Sequence, residues 1–152
     1  TYKAIHELQM FMEYFPQSER KSEAQVMIFA LQDKLVLKEY LSAKMYYDLG
    51  TYTGNASMNA DGQINGNNFL ACITTAENIL KDYPYTSMRE DVSILLLRAK
   101  YKLGVESVLE KIEERMRETI DEYYAFKNEF PESKYMKEVE KIYKEASKYV
   151  KE

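Results

Sequence analysis

Only three prolines and five glycines interrupt the 152 residues of this chain. Tryptophan is absent, and cysteine and histidine occur once each. With Cys72 alone, no intrachain disulfide can form, which leaves the compartment open. Beside a hydrophobic stripe, a single thiol reads as a buried structural group rather than a nucleophile. His6 has neither the further ligands a metal site wants nor a partner for catalysis. No apolar run approaches the roughly 20 residues of a membrane span, and no signal peptide is visible. Phosphate-cradling glycine loops and nucleophile elbows are missing as well. The net charge is −4, with cations interspersed among carboxylates, a pattern that argues against nucleic-acid binding. The expectation is a chain with no enzyme activity, no catalytic residue, no cofactor and no metal.

What is present is a recurring joint. The three prolines stand in Phe15-Pro16-Gln17-Ser18, Tyr83-Pro84-Tyr85-Thr86 and Phe130-Pro131-Glu132-Ser133. Proline drives the preceding residue out of the helical region, so a helix ends there. A Ser or Thr two residues later can accept from a free N–H of the next helix. The flanks repeat too. Ile5, Ile73 and Ile120 stand eleven residues before the prolines, and Phe11, Ile79 and Phe126 stand five before. Ala24, Val92 and Val139 follow at eight; Met27, Leu95 and Ile142 at eleven; Leu31, Ala99 and Ala146 at fifteen. Such steps line one helix face on either side of a turn. Pro16 and Pro84 are 68 residues apart, twice the 34-residue tetratricopeptide period.

The pattern predicts an all-α, tetratricopeptide-like helical repeat, an α-α superhelix of about six helices and no strand. Helix one covers Tyr2–Tyr14. A second runs unbroken from Glu19 to Leu49, long enough to link two repeats, with Ala24, Met27, Ile28, Leu31, Leu35, Tyr40, Ala43, Tyr46 and Tyr47 on its stripe. A third covers Asn68–Asp82. A fourth opens at a capping box, Ser87-x-x-Glu90, and stops at Gly104. A second box, Ser107-x-x-Glu110, opens a fifth that ends near Glu129. A sixth follows Ser133. The whole of 1–152 is read as the C-terminal repeats of a longer protein, because the first helix looks like the second member of a pair.

Residues 51–67, rich in Gly and Asn, read as a flexible insertion loop. Within it Asn59, Asp61, Gly62 and Ile64 fit positions 3, 5, 6 and 8 of a calcium-binding EF-hand loop. Ser57 and Asn68 at positions 1 and 12 leave a cation a single carboxylate, so a polar insertion is the preferred reading. The 14 tyrosines are the more telling feature. Tyr123 and Tyr143 fit the core stripes. Tyr40, Tyr47, Tyr52, Tyr85, Tyr101 and Tyr124 cannot all point inward, and surface tyrosine favours a protein interface.

These residues carry a family resemblance. Tyr14-Phe15-Pro16-x-Ser18, then Leu31-Gln32-Asp33-Lys34-Leu35 and Glu39-Tyr40-x-x-Ala43-x-x-Tyr46-Tyr47, resemble the C-terminal half of BamD, the tetratricopeptide lipoprotein of the outer-membrane β-barrel assembly machine. Asn78-Ile79-Leu80-Lys81-Asp82-Tyr83-Pro84-x-Thr86 resembles the family's next turn, and Phe130-Pro131-Glu132-Ser133-Lys134-Tyr135 its terminal helix. The Tyr, Met and Lys content looks like a Bacteroidetes-type member. The resemblance implies a scaffold on the periplasmic face of the outer membrane, lipid-anchored through an upstream segment. Its partners would be a POTRA domain of the barrel-forming subunit BamA, other subunits of the machine, and unfolded outer-membrane proteins. It places partner binding around Tyr40, Lys44, Tyr47 and Tyr52. The alternative is a generic tetratricopeptide periplasmic adaptor for other cell-envelope proteins.

Overall fold

The computed structural model describes residues 1–51 and 67–150. Six helices follow one another: α1 Tyr2–Tyr14, α2 Lys21–Leu49, α3 Asn68–Asp82, α4 Arg89–Val105, α5 Leu109–Glu129 and α6 Met136–Ser147. No strand occurs among the described residues. The all-α, repeat-like architecture is as the sequence predicts, and α1 and α3 match their predicted limits. The residues of the EF-hand-like pattern, Asn68 apart, lie outside the described residues. Asn68 is the first residue of α3, whose N-cap Asn67 accepts from Phe69 N (2.8 Å) and Leu70 N (3.4 Å).

The three joints share one geometry because they share one chemistry. Phe15, Tyr83 and Phe130 adopt φ/ψ of −125/61, −128/63 and −126/60. Each donates its N–H to the carbonyl four residues back and accepts at its own carbonyl from the Ser or Thr N–H three residues on. The hydroxyls of Ser18, Thr86 and Ser133 then accept from the N–H groups of Arg20, Met88 and Tyr135 at 3.2, 3.3 and 3.0 Å. These N–H groups belong to the residue before each helix, so the hydroxyls brace the turn itself, and α2, α4 and α6 have no side-chain cap on their first turn, unlike the sequence expectation. The two predicted capping boxes do not form. The Ser87 hydroxyl is drawn to Asp33 on α2, and Glu90 accepts from Ser133. The Ser107 hydroxyl donates to Leu103 O and accepts from Arg115, and α5 begins only at Leu109.

Each helix packs on the next, and α4 lies between α3 and α5. In addition α2 touches α4, and α4 touches α6, while the backbones of α1, α3 and α5 stay apart from one another. The array therefore curves, with α2, α4 and α6 inside. Two core clusters run along it. One gathers Val36, Ala43, Phe69, Cys72, Ile73, Ala76, Ile79, Val92, Leu95 and Leu96. The other joins Ile94, Leu97, Tyr123, Phe126, Val139 and Ile142. Every residue from Val92 to Leu97 is buried, as expected of a helix enclosed by neighbours.

The repeats differ in register. At the third joint the Ser133 hydroxyl donates to Glu90 (2.5 Å), six residues past Pro84. At the second, the Thr86 and Ser87 hydroxyls donate to Asp33 (both 2.6 Å), 17 residues past Pro16. The second joint thus sits about three turns, roughly 16 Å, further along its neighbour than the third. One consequence corrects the predicted core. Met27, the counterpart of Leu95, is 47% exposed where Leu95 is 4% exposed. Leu95 lies in the α2–α3–α4 cluster, whereas Met27 belongs to neither core cluster.

Two measurements test this packing. Burial, then the Ser87 and Thr86 hydroxyls and the Ser87 N–H, act on Asp33; the hydrogen bonds outweigh burial and hold its carboxyl below its usual range. Asp33→Ala lowers stability in urea melts by about 1–2 kcal/mol, and Ser87→Ala adds little once Asp33 is gone. Cys72 is fully buried, and burial pushes its thiol up to about 12. An aromatic disulfide reagent reacts with it slowly in the folded protein and at the rate of a free thiol after unfolding.

Candidate protein-binding groove

The inner surface of the array carries polar and aromatic side chains at seven-residue steps. Tyr40 and Tyr47 stand on α2, Asp91 and Arg98 on α4, Glu138 and Glu145 on α6. Seven residues are nearly two helical turns, so each pair faces the same way. Arg98 grips Glu138 through two hydrogen bonds, Nε to Oε1 and Nη2 to Oε2, each 2.6 Å. Such a fork-to-fork pair fixes both direction and spacing between helices. The Arg98 guanidinium also lies 5.3 Å from the centre of the Tyr135 ring, a cation–π distance. The Tyr135 hydroxyl donates to Asp91 (3.2 Å). The result is a lattice that ties α4 to α6 across the floor of the groove.

Tyr47, Arg98, Tyr101, Lys102, Glu138, Lys141, Ile142 and Glu145 line a hollow of about 230 Å³ in this surface. Tyr40 continues it toward Asp91 and Tyr135. Burial, reinforced by the Asp91 charge and Tyr135, raises the Tyr40 phenol, and burial against the opposing pull of Arg98 raises that of Tyr47. Both phenols stay protonated at neutral pH and keep an O–H to donate. The Tyr47 ring meets Phe69 edge-on at 5.7 Å, close to the end of α2. Gly50, at φ 55, follows, and a Cβ there would stand 3.0 Å from the Phe69 ring.

Of the residues expected to bind a partner, the structure brings Tyr40, Lys44 and Tyr47 to this side of α2. Tyr40 and Tyr47 are half-buried against the core, while Lys44 is exposed and paired with Asp48 at 2.7 Å. Tyr52 lies outside the described residues. Tyr101 joins the groove, whereas Tyr85 projects from the second joint and Tyr124 sits outside against Tyr143, their hydroxyls 3.3 Å apart. Sequence reasoning missed Arg98, Asp91 and Glu138. Their signal was the same seven-residue step on alternate helices, hidden among many other charges. His6 is exposed on α1. No group of His, Cys, Asp and Glu able to hold a metal occurs among the described residues.

A larger concavity, about 760 Å³, opens between α1, the first half of α2 and the second joint. It exists because α3 stops about three turns short of the start of α2. Ile28, Phe29, Met12 and Tyr83 line it with Glu13, Lys21, Asp33 and Asp82.

The Arg98–Glu138 pair generates a pH prediction. Its hydrogen bonds from Arg98 outweigh partial burial and lower the Glu138 carboxyl below its usual value. A lowered native value means the pair stabilises the fold fully above the ordinary carboxylate range, and that contribution fades as pH falls through the lowered value. Glu138→Gln should therefore reduce the melting temperature at pH 7 and leave it nearly unchanged well below pH 4, as read by paired thermal melts at the two pH values.

No protein-family model matches the sequence, and no curated protein matches it either.

Proposed function

We propose that this chain is a non-enzymatic scaffold that binds other proteins through its inner groove, and that it serves outer-membrane β-barrel assembly by docking the barrel-forming subunit. The observation that carries the first part is the groove itself. Tyrosines and an arginine are the residues that most often anchor interfaces. Here Tyr40, Tyr47, Tyr101 and Arg98 line one concave strip on a scaffold of packed helices. Helical-repeat arrays use such concave surfaces for binding.

The second part is supported by the ordered motifs of the BamD-type resemblance, which coincide with the three joints and with the long α2. On this reading the partner is a POTRA domain of a BamA-type subunit, with further contacts to other subunits and to unfolded outer-membrane proteins. The chain then works at the periplasmic face of the outer membrane, held by an upstream lipid anchor. No helix among the described residues is long and apolar enough to cross a membrane. A periplasmic adaptor for other cell-envelope proteins would use the same groove.

A pull-down with the purified periplasmic POTRA array of the cognate barrel subunit separates the two. The intact protein should be retained, and Arg98→Glu with Tyr47→Ala should weaken retention at least about tenfold. No retention of the intact protein would sink the barrel-assembly reading and leave the adaptor.

A further inference from the structure

The first half of α2 repeats the sequence pattern of α4 but not its burial. Residues 68 apart correspond in the two helices, as Pro16 and Pro84 do. On α4, Ile94 and Leu97 are 1 and 0% exposed and pack with Tyr123 and Phe126 of α5. Their counterparts on α2, Val26 and Phe29, are 67 and 41% exposed. The cause is the shifted register. α5 runs back along α4 as far as its first residue, Arg89, which Glu129 meets. α3 runs back along α2 only as far as Asp33, to which the second joint is tied. Lys21 to Gln32 therefore lie past the end of α3, a length of about three turns or roughly 18 Å. The 760 Å³ cavity lies along this length. The fold itself shows what such a surface takes: a helix laid antiparallel, with aromatic side chains on the apolar positions.

The cavity has an apolar floor and one charged end. Met12, Phe29 and Pro84 form part of the floor. Asp33 and Asp82 stand at the second-joint end, together with the exposed Tyr85. Their chain neighbours Lys34 and Lys81 line none of it. At the other end Glu13 and Lys21 flank the first joint, and their charges offset one another. A helix entering in the direction of α5 brings its N-terminus to the second joint. The positive pole of its dipole then meets the two carboxylates, and a cation in its first turn finds both an acid and an aromatic face. We propose that this cavity seats a three-turn amphipathic helix of a partner protein, antiparallel to α2, with its apolar face on Met12 and Phe29 and Lys or Arg in its first turn beside Asp33 and Asp82. This site is separate from the inner groove and does not depend on the barrel-assembly reading.

The test uses the intact chain and a labelled synthetic helix of about 12 residues, closed by a lactam bridge on its outer face because so short a helix is marginal in water. The peptide carries phenylalanine and leucine one turn apart and lysines in its first turn. A matched helix carries glutamates in their place. Fluorescence anisotropy should show the lysine peptide binding at least about tenfold more tightly than the glutamate peptide, and weakening as salt rises from about 50 to 500 mM. Phe29→Asp should reduce binding at least about tenfold without changing the circular dichroism spectrum. Phe29→Gln should reduce it as well, and Asp82→Asn should narrow the difference between the two peptides. A photoreactive group on the first residue of the lysine peptide should label residues 82–86. Equal affinity for the two peptides, no binding at about 100 μM, full binding by both Phe29 variants, or labelling confined to the first-joint end would overturn the proposal. So would self-association of the chain that Phe29→Asp abolishes.

Discussion

The clash between a proline ring and the residue before it is the constraint on which this molecule depends. It holds Phe15, Tyr83 and Phe130 at nearly the same pair of dihedral angles and so fixes how each helix leaves the one before. The Ser or Thr two residues after the proline then accepts from the N–H just before the next helix and braces the turn. Three copies of one local geometry make successive helices antiparallel and stack them as an array. Curvature follows, because α2, α4 and α6 meet while α1, α3 and α5 diverge. The groove is a product of that curvature.

Charge is distributed differently on the two sides. Outside, Lys100 bridges Glu77 (3.2 Å) and Glu122 (2.7 Å), joining α3 and α5 across α4, and Arg89 joins Glu129 to the second joint's carbonyls at Leu80 and Pro84. Inside, Arg98 and Glu138 do the same between alternate helices. Pairs near the surface add little stability singly, whereas Lys100 and Glu122 are each only 16% exposed, and each pair here joins two elements. The apolar clusters supply the driving force, and the ion pairs select one stacking among several that the same apolar surfaces would permit.

The fold was legible in the sequence wherever punctuation was strong. Proline and glycine marked the ends of α1, α2 and α3, and three-residue and four-residue steps picked out Val92, Leu95, Leu96 and Ala99 as core. Three things were not legible. Ser87 and Ser107 have capping spacing, but their hydroxyls bond to Asp33 and Leu103, and a partner 54 residues away leaves no local signature. Met27 aligns with Leu95, yet equivalent positions share burial only when they share neighbours. Arg98 and Glu138 looked like ordinary surface charges, because a pair separated by 40 residues is defined by the stacking of α4 on α6. For the groove, the sequence offered Tyr40, Lys44 and Tyr47 on one face of α2 and was silent about what faced them.

The length of α2 has a mechanical meaning. Its 29 residues form a rod of about 43 Å, gripped by α1 at one end and by α3 at the other. A load applied to α1 reaches α3 along a continuous column of backbone hydrogen bonds within α2. A tilt imposed at the first joint is therefore delivered to the second as rotation of a stiff lever, with Asp33 close to its pivot.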